Sequence, residues 1–192
     1  YKRIIELSSR SFLENDALSD PHLDIKELLI DTEGIILLSG TTQGLFGKLF
    51  EKGHFDKIIE LYNKLSLKFD DKFYIEIQRH GDQNEIALEK FNLIQSSEIK
   101  IPIIATNEVF YLTKDMHEAH DALTCIGLKT YVNEKNRIRY SNQHYLKSNE
   151  EMVKLLIEHK ANVNANDTEN WTPLHAAATC GHTNICRILI EK

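Results

Sequence analysis

The sequence predicts an α/β region of successive βα units, arranged as part of a βα barrel, followed by a short all-α segment. The first observation is three runs of strand-forming residues, at residues 34–39, 73–78 and 101–106. The second is that apolar residues at helical spacing follow each run. The third is a change of character after residue 150, beyond which only helical patterns remain. Alternating strands and helices favour a parallel sheet, open or closed into a barrel.

The individual elements follow from the same patterns. Helices are predicted at residues 3–15, 20–29, 45–51, 56–69, 84–95, 114–126 and 142–159. Residues 34–39 form a continuous apolar run bounded by glycine, as expected for a strand buried on both faces. In the last helix, the hydroxyl of Ser148 and the carboxylate of Glu151 form the pattern of a capping box. We place the domain boundary there, with one region at residues 1–150 and another at residues 151–192.

Composition narrows the class of protein. The 192 residues include 42% hydrophobic and 27% charged residues, which is typical of a globular chain. A net charge of -6 argues against a direct nucleic-acid or membrane surface, and no apolar run is long enough for a spanning helix. The first ten residues lack the apolar core of a signal peptide, and the missing initiator Met indicates a longer reading frame. Three cysteines without framework spacing fit a reducing compartment, so we expect a cytoplasmic protein.

The last quarter of the chain carries a recognisable motif. It covers residues 167–192, with Thr172-Pro173-Leu174-His175 at its core, two alanines and Gly181-His182 after that, and an apolar helix that ends at residues 188–190. This segment resembles an ankyrin repeat, and residues 151–166 resemble the second helix and exit loop of a preceding repeat. About one and a half repeats are therefore expected at residues 151–192, given a repeat period of about 33 residues.

The ankyrin resemblance implies a protein-binding segment without chemistry of its own. Thr172 is expected to cap the first helix, with Pro173 at its first position and Gly181 ending it. Asn170 stands where the family prefers glycine, which is tolerable because asparagine accepts a positive φ. Partner binding is expected at the loop tip and on the inner helix surface. The residues predicted to bind a partner are Thr168, Asn170, Trp171, Ala178 and Thr179.

A second resemblance covers residues 1–150. The motifs that carry it are Leu37-Leu38-Ser39-Gly40, Tyr74-Ile75-Glu76-Ile77-Gln78-Arg79-His80-Gly81, Ile101-Pro102-Ile103-Ile104-Ala105-Thr106-Asn107, Glu118-Ala119-His120-Asp121-Ala122-Leu123 and Tyr145-Leu146-Lys147-Ser148. This region resembles the latter part of the PHP domain of bacterial DNA polymerase III alpha subunits. The resemblance implies part of a distorted βα barrel, which binds metal ions and proofreads in some members. The opening strands that carry the first metal ligands in the family, and the polymerase palm, are absent from the sequence.

In such a fold, functional side chains gather at the carboxyl ends of the strands. In metal-binding members of the family the first of these ends often offers a cysteine, and the last offers Asp-x-His. The corresponding residues here are Thr41, Glu108 and Phe110. Threonine is a poor ligand and phenylalanine has no lone pair, while His80, after the middle strand, is expected to be structural. We therefore predict no catalytic residue, no metal site and no cofactor.

Two other patterns in the sequence allow more than one interpretation. His117, His120 and Asp121 lie on one predicted helix and could bind zinc, although the spacing is not HExxH; a solvated or capped helix face is favoured. The glycine-rich residues 39–48 suggest a phosphate loop, but Thr42 and Leu49 break the Walker pattern. A sharp turn from strand to helix is the favoured explanation.

Together these patterns predict a non-enzymatic chimera of a metal-dead polymerase fragment and a protein-binding tail. Two alternatives remain open: a polymerase remnant that still contacts replisome subunits, and a residual metal-dependent phosphoesterase. A solenoid needs about three repeats to bury a continuous core, and three βα units leave open sheet edges. We therefore expect an exposed apolar surface, marginal stability, and self-association or dependence on a partner.

Overall fold

The computed structural model describes residues 1–16, 18–81, 83–158, 163–164 and 170–192. The chain divides into two compact units. Unit 1 comprises Tyr1–Ile75 and Lys90–Pro102, and unit 2 comprises Glu76–Glu89 and Ile103–Lys192. This division falls within a strand and a helix and does not test the boundary predicted after residue 150, which stays a prediction.

The fold is a mixture of helices and a small sheet. The helices are α1 (Lys2–Leu13), α2 (Ile25–Leu28), α3 (Leu45–Glu51), α4 (Phe55–Phe69), α5 (Gln83–Ile99), α6 (His117–Gly127), α7 (Asn149–Glu158), α8 (Pro173–Thr179) and α9 (Thr183–Ile190). The strands are β1 (Leu37–Leu38), β2 (Phe73–Ile77) and β3 (Ile103–Ala105). The α/β class and the order of elements are confirmed, whereas the barrel-like arrangement is not.

Some predicted elements are shorter in the structure. The helix predicted at residues 20–29 is limited to α2, because the Asp24 side chain accepts a hydrogen bond from the Lys26 N–H (2.9 Å) and fixes the start there. The helix predicted from residue 142 starts at residue 149, after the cap at Ser148. The prediction that residues 34–39 are buried on both faces is wrong, since Ile36 is 66% exposed.

The sheet has the strand order β1-β2-β3. Strands β1 and β2 are parallel, with Leu37 paired to Phe73 and Leu38 to Tyr74. In unit 1, the Ile75 N–H donates to the Pro102 carbonyl (2.9 Å), and in unit 2 the Thr106 N–H donates to the Ile77 carbonyl (3.0 Å). The residues that follow β2 and β3 in unit 2 are thereby aligned at one end of these strands.

The core of unit 1 lies between α4 and the first half of β2. One face of α4 is fully buried at Ile58, Tyr62 and Leu65, and Phe73 and Ile75 of β2 are buried as well. The Tyr62 hydroxyl donates to the side-chain oxygen of buried Asn92 (2.9 Å), which satisfies both groups. Burial raises the pKa of this hydroxyl above its ordinary value.

The glycine-rich segment of unit 1 is a turn from strand to helix. Gly40 has a positive φ of 77°, and Gly44 is the N-cap of α3. A Cβ on Gly47 would lie 2.2 Å from the Thr42 carbonyl oxygen, so only glycine fits where α3 passes this backbone. Backbone conformation and close packing therefore explain the glycines of the predicted turn, and a phosphate-binding role is not needed to explain them.

In unit 2, a buried ion pair holds the segment after α6. Arg137 donates two hydrogen bonds to the Asp121 carboxylate, at 2.5 and 2.6 Å, and its side chain is 6% exposed. The hydrogen bond from this guanidinium is the main cause that lowers the pKa of Asp121.

Large apolar side chains are also exposed in the described part of the chain, as expected, among them Ile126 and Ile190. No helix among the described residues has the length and apolar character needed to cross a membrane.

Candidate functional site

Side chains from the ends of β2 and β3 meet in unit 2. We call this group the strand-end cluster: His80 after β2, Glu85 of α5, Glu108 and Phe110 after β3, and His144 from the segment before α7. His80 and His144 are buried, at 6% exposure each. The sequence placed His80, Glu108 and Phe110 at strand ends, and the structure brings these three together. It also adds Glu85 and His144, which no sequence motif indicated.

The His80 ring is held at both nitrogens. Nδ1 lies 2.9 Å from Glu85 Oε1, and the N–H groups of His80 and Gly81 donate to Glu85 Oε2 at 2.9 and 3.0 Å. The Glu108 N–H donates to His80 Nε2 at 3.3 Å. An acceptor role for Nε2 requires the proton to sit on Nδ1, where it is donated to Glu85. The Nε2 atom of His80 therefore faces the backbone N–H of Glu108.

Four rings form a continuous stack through the cluster. His80 lies on His144 with centroids 4.0 Å apart and an interplanar angle of 3°. The Phe110 ring stacks on His144, with the ring centroids 4.6 Å apart. It also stacks on His120, with the centroids 5.2 Å apart. Flat stacking at these distances fills the space between the strand ends with ring atoms.

His144 is kept neutral by this packing. Its Nδ1 lies 3.2 Å from the Glu108 carbonyl oxygen, so Nδ1–H donates there. Burial is the main cause that lowers the pKa of His144 from 6.5 to about 4, and the neighbouring His80 lowers it further. Near neutral pH the His144 ring in this stack is therefore uncharged.

The residues present fit a metal ion poorly. Both nitrogens of His80 are engaged, and the Phe110 side chain offers no lone pair to a metal ion. Within the described ranges, no group of three or more His, Cys, Asp or Glu side chains is arranged to hold a metal ion. Thr41 belongs to unit 1 and is half-buried after β1.

The three side chains of the alternative zinc site on α6 make contacts with different parts of unit 2. His117 Nε2 lies 2.9 Å from the Tyr140 carbonyl, Asp121 is paired with Arg137, and His120 is part of the ring stack. Each of the three side chains thus has a separate structural contact. The expectation of a capped helix face is in line with these contacts.

The ankyrin-like hairpin, α8 and α9, has the local geometry that its motif predicts. Thr172 is the N-cap of α8 and forms a capping box with His175, and Pro173 occupies the first turn. Asn170 and Gly181 have positive φ values of 62° and 72°. The predicted cap, the tolerated asparagine and the left-handed helix end are all confirmed.

The predicted partner-binding residues are partly accessible. Trp171 is 42% exposed, with its ring 6.4 Å from that of His175. Asn170, Ala178 and Thr179 are exposed, although the Thr179 hydroxyl already donates to the His175 carbonyl (2.9 Å). Thr168 lies outside the described residues. Their role in binding remains a prediction.

Replacing Thr172 with Ala is expected to destabilise the hairpin by about 1 kcal/mol, because the first turn of α8 loses its capping hydroxyl. Urea unfolding followed by Trp171 fluorescence measures this change. Thr179→Ala on the same helix is the matched control, since its hydroxyl bonds a carbonyl within the helix. Equal stability of Thr172→Ala and the parent chain would show that the cap contributes nothing.

Comparison with known proteins accounts for both parts of the chain. Residues 1–80 match the family model of the PHP domain, and residues 118–192 match the family model of ankyrin repeats (3 copies). The chain therefore combines a PHP-domain segment with ankyrin repeats, as both resemblances implied.

The chain is also similar to the alpha subunit of DNA polymerase III from several bacteria. The chain is 34% identical over 158 residues to DNA polymerase III subunit alpha of Caulobacter vibrioides, which covers 82% of this chain and 14% of that protein. It is 36% identical over 155 residues to the same subunit of Rickettsia prowazekii, covering 81% of this chain and 13% of that protein. The corresponding Vibrio cholerae subunit is 30% identical over 159 residues, 82% of this chain and 14% of that protein. The chain thus spans about 14% of the length of the curated relatives that it matches.

Proposed function

We propose that the chain is a non-enzymatic chimera, in which a metal-dead part of a polymerase PHP domain carries a short protein-binding ankyrin tail. The observation that supports it most is the strand-end cluster, in which both ring nitrogens of His80 are engaged by groups of the same chain. Glu85 and the Glu108 N–H occupy the two nitrogens of His80, and Phe110 fills the position of a family ligand. We further propose that the parallel strands represent part of a βα barrel.

The tail supplies the function in this proposal. Ankyrin repeats generally mediate contacts between proteins, and the matched segment ends in a hairpin with intact caps. Trp171 at the loop tip and Thr179 on α8 provide the accessible surface for a protein partner. The predicted cytoplasmic location suits three free cysteines.

Two other candidates follow from the polymerase similarity. Similarity over 82% of the chain favours a remnant that retains contacts with replisome subunits. A residual phosphoesterase is the third candidate, and it requires the strand-end cluster to open and take up metal. Of its two acidic members, Glu108 is 56% exposed and Glu85 is 10% exposed, so Glu108 is the more accessible to water.

Metal analysis of the purified chain tests the proposed loss of activity. We expect well under one transition-metal ion per chain and no hydrolysis of a phosphodiester above background. Phe110→His restores the histidine of the metal-binding relatives and serves as a comparison for the assay. Stoichiometric metal that disappears in a His80→Ala variant, together with hydrolysis, would overturn the proposal.

A pull-down with purified replisome subunits separates the remaining candidates. The chimera proposal expects no retention of these subunits, and retention would favour the polymerase remnant. A partner captured through the tail should be lost in Trp171→Ala. It should be kept in Tyr131→Ala, an equally large change at a site 78% exposed and outside the hairpin.

A further inference from the structure

Helix α7 packs against two different parts of unit 2. It contacts β3, whose end carries the strand-end cluster, and it contacts α9 of the ankyrin-like hairpin. Its apolar residues cover an arc of about 200° of the helix, wider than the stripe of about 100° that one packing face needs. All of these residues are half-buried: Met152, Val153, Leu155, Leu156 and Ile157. The helix therefore has enough apolar surface for two packing faces.

In the first turn of α7, Glu151 holds the segment that precedes the helix. The Tyr145 hydroxyl donates to Glu151 Oε1 (2.5 Å), and the Ser148 N–H donates to Glu151 Oε2 (2.8 Å). The hydrogen bond from Tyr145 is the main cause that lowers the pKa of Glu151. The start of α7 is thereby tied to Tyr145.

The segment before α7 is in turn tied to the residues that follow β3. The Phe110 N–H donates to the His144 carbonyl (2.9 Å), and the Leu146 N–H donates to the Tyr111 carbonyl (3.0 Å). Tyr111 and Tyr145 form a parallel β-bridge. Because His144 belongs to the strand-end cluster, a continuous series of hydrogen bonds connects this cluster to the first turn of α7.

The neighbouring carboxylate, Glu150, faces the hairpin instead. The Asn184 side chain of α9 donates a long hydrogen bond to Glu150 Oε1 (3.5 Å). The backbone N–H of Glu150 itself is the main cause that lowers the pKa of this carboxyl group, and Asn184 and His182 of the hairpin lower it further. Two adjacent carboxylates in one helical turn therefore hold different partners.

We propose that α7 couples the hairpin to the segment that carries His144, so that loosening either of them loosens the other. Glu150 and Glu151 lie on the same turn, and a shift of this turn on one side changes the contact on the other side. By the reciprocity of coupled sites, a protein bound to the hairpin also stabilises the strand-end cluster. This consequence rests on the proposed protein-binding function, whereas the coupling itself does not.

Tyr145→Phe tests the coupling from the side of the cluster. The variant keeps the ring and removes the hydroxyl that donates to Glu151. Hydrogen exchange of the full chain, followed by NMR, should be at least about threefold faster at the amides of α8 and α9, because a lost hydrogen bond has an effect of this order. The amides of α6 should change less. Tyr131→Phe removes the hydroxyl of a tyrosine that is 78% exposed, and it should leave exchange in the hairpin unchanged.

Asn184→Ala tests the coupling from the side of the hairpin. Alanine is a better helix former than asparagine, so a loss of protection elsewhere does not come from a weaker α9. We expect faster exchange at the amides of Phe110 and Leu146, which bond the segment before α7 to the residues after β3. Asn136→Ala, at an exposed site outside the hairpin, is the matched control.

The two variants must agree, because coupling between two sites acts equally in both directions. Unchanged exchange in the hairpin of Tyr145→Phe would overturn the proposal, as would unchanged exchange at Phe110 and Leu146 in Asn184→Ala. Equal acceleration in α6 and in the hairpin would show a general loss of stability in unit 2 and would overturn it as well. None of these outcomes bears on partner binding by the tail, which is tested with Trp171→Ala.

Discussion

Leu65→Ala is expected to lower the free energy of unfolding of unit 1 by about 2–5 kcal/mol, while Leu67→Ala changes it by less than about 0.5 kcal/mol. Both residues are leucines of α4, two positions apart. Leu65 is 1% exposed and Leu67 is 88% exposed. Truncation at the buried site removes contacts and leaves a cavity, whereas truncation at the exposed site removes little from the packing.

The buried site has little freedom to collapse around such a cavity. Ile58 and Tyr62 on the same face are fully buried, and the Tyr62 ring lies 5.8 Å from that of Phe73. Tyr62 is also fixed by its hydrogen bond to Asn92, so it cannot move freely into the space. We therefore expect a cost in the upper part of the range.

Urea unfolding followed by circular dichroism measures both variants against the parent chain. The expected result is a lower midpoint for Leu65→Ala and an unchanged midpoint for Leu67→Ala, with the same slope. Equal midpoints for the two variants would contradict the assignment of the buried face. A shallow transition in the parent chain would instead support the predicted marginal stability.

Much of the fold could be predicted from local patterns. The apolar spacing at residues 56–69 predicted helix α4, and α3 begins and ends at the predicted residues. The caps at Ser148 and Thr172 depend on residues three positions apart, so sequence was sufficient to find them. Strand β1 was predicted too long because apolar residues alone do not tell whether another element packs on the face that Ile36 exposes.

The candidate site was predictable only in part, for a physical reason. His80, Glu108 and Phe110 directly follow predicted strands, and parallel strands align their carboxyl ends. His144 lies more than thirty positions beyond Phe110 in a segment without regular structure, so no periodicity connects it to the others. Its role depends on ring stacking and burial, and these arise from the folded chain alone.

The stability of unit 2 is expected to fall as the pH is lowered from 6.5 towards about 4, because His144 titrates differently in the folded and unfolded states. Burial lowers its pKa from 6.5 to about 4 in the folded chain. Between these values the unfolded chain binds the proton more readily, so acid favours unfolding. The stabilisation is fully present above pH 6.5 and is lost progressively down to about pH 4. We expect the free energy of unfolding to fall by about 1–2 kcal/mol. This is less than the free energy that corresponds to the full pKa shift, since nearby water screens the charge.

His144→Phe isolates this contribution. Phenylalanine keeps the stack with His80 and Phe110 and removes the titration, although it also loses the hydrogen bond to the Glu108 carbonyl. The variant should be less stable at pH 7 but should lose little more stability on going to pH 5. His22→Phe, at an exposed site, should keep the pH dependence of the parent chain.

Trp171 is the one tryptophan of the sequence and lies in unit 2, so its fluorescence in urea follows this unit. Depressed carboxyl pKa values, such as that of Asp121, also cost stability in acid, but only below the ordinary range of a carboxyl group. The comparison is therefore made between pH 7 and pH 5, where His144 titrates in the unfolded chain and these carboxylates stay charged. The same loss in His144→Phe and in the parent chain would show that the buried His144 does not govern the acid sensitivity of unit 2.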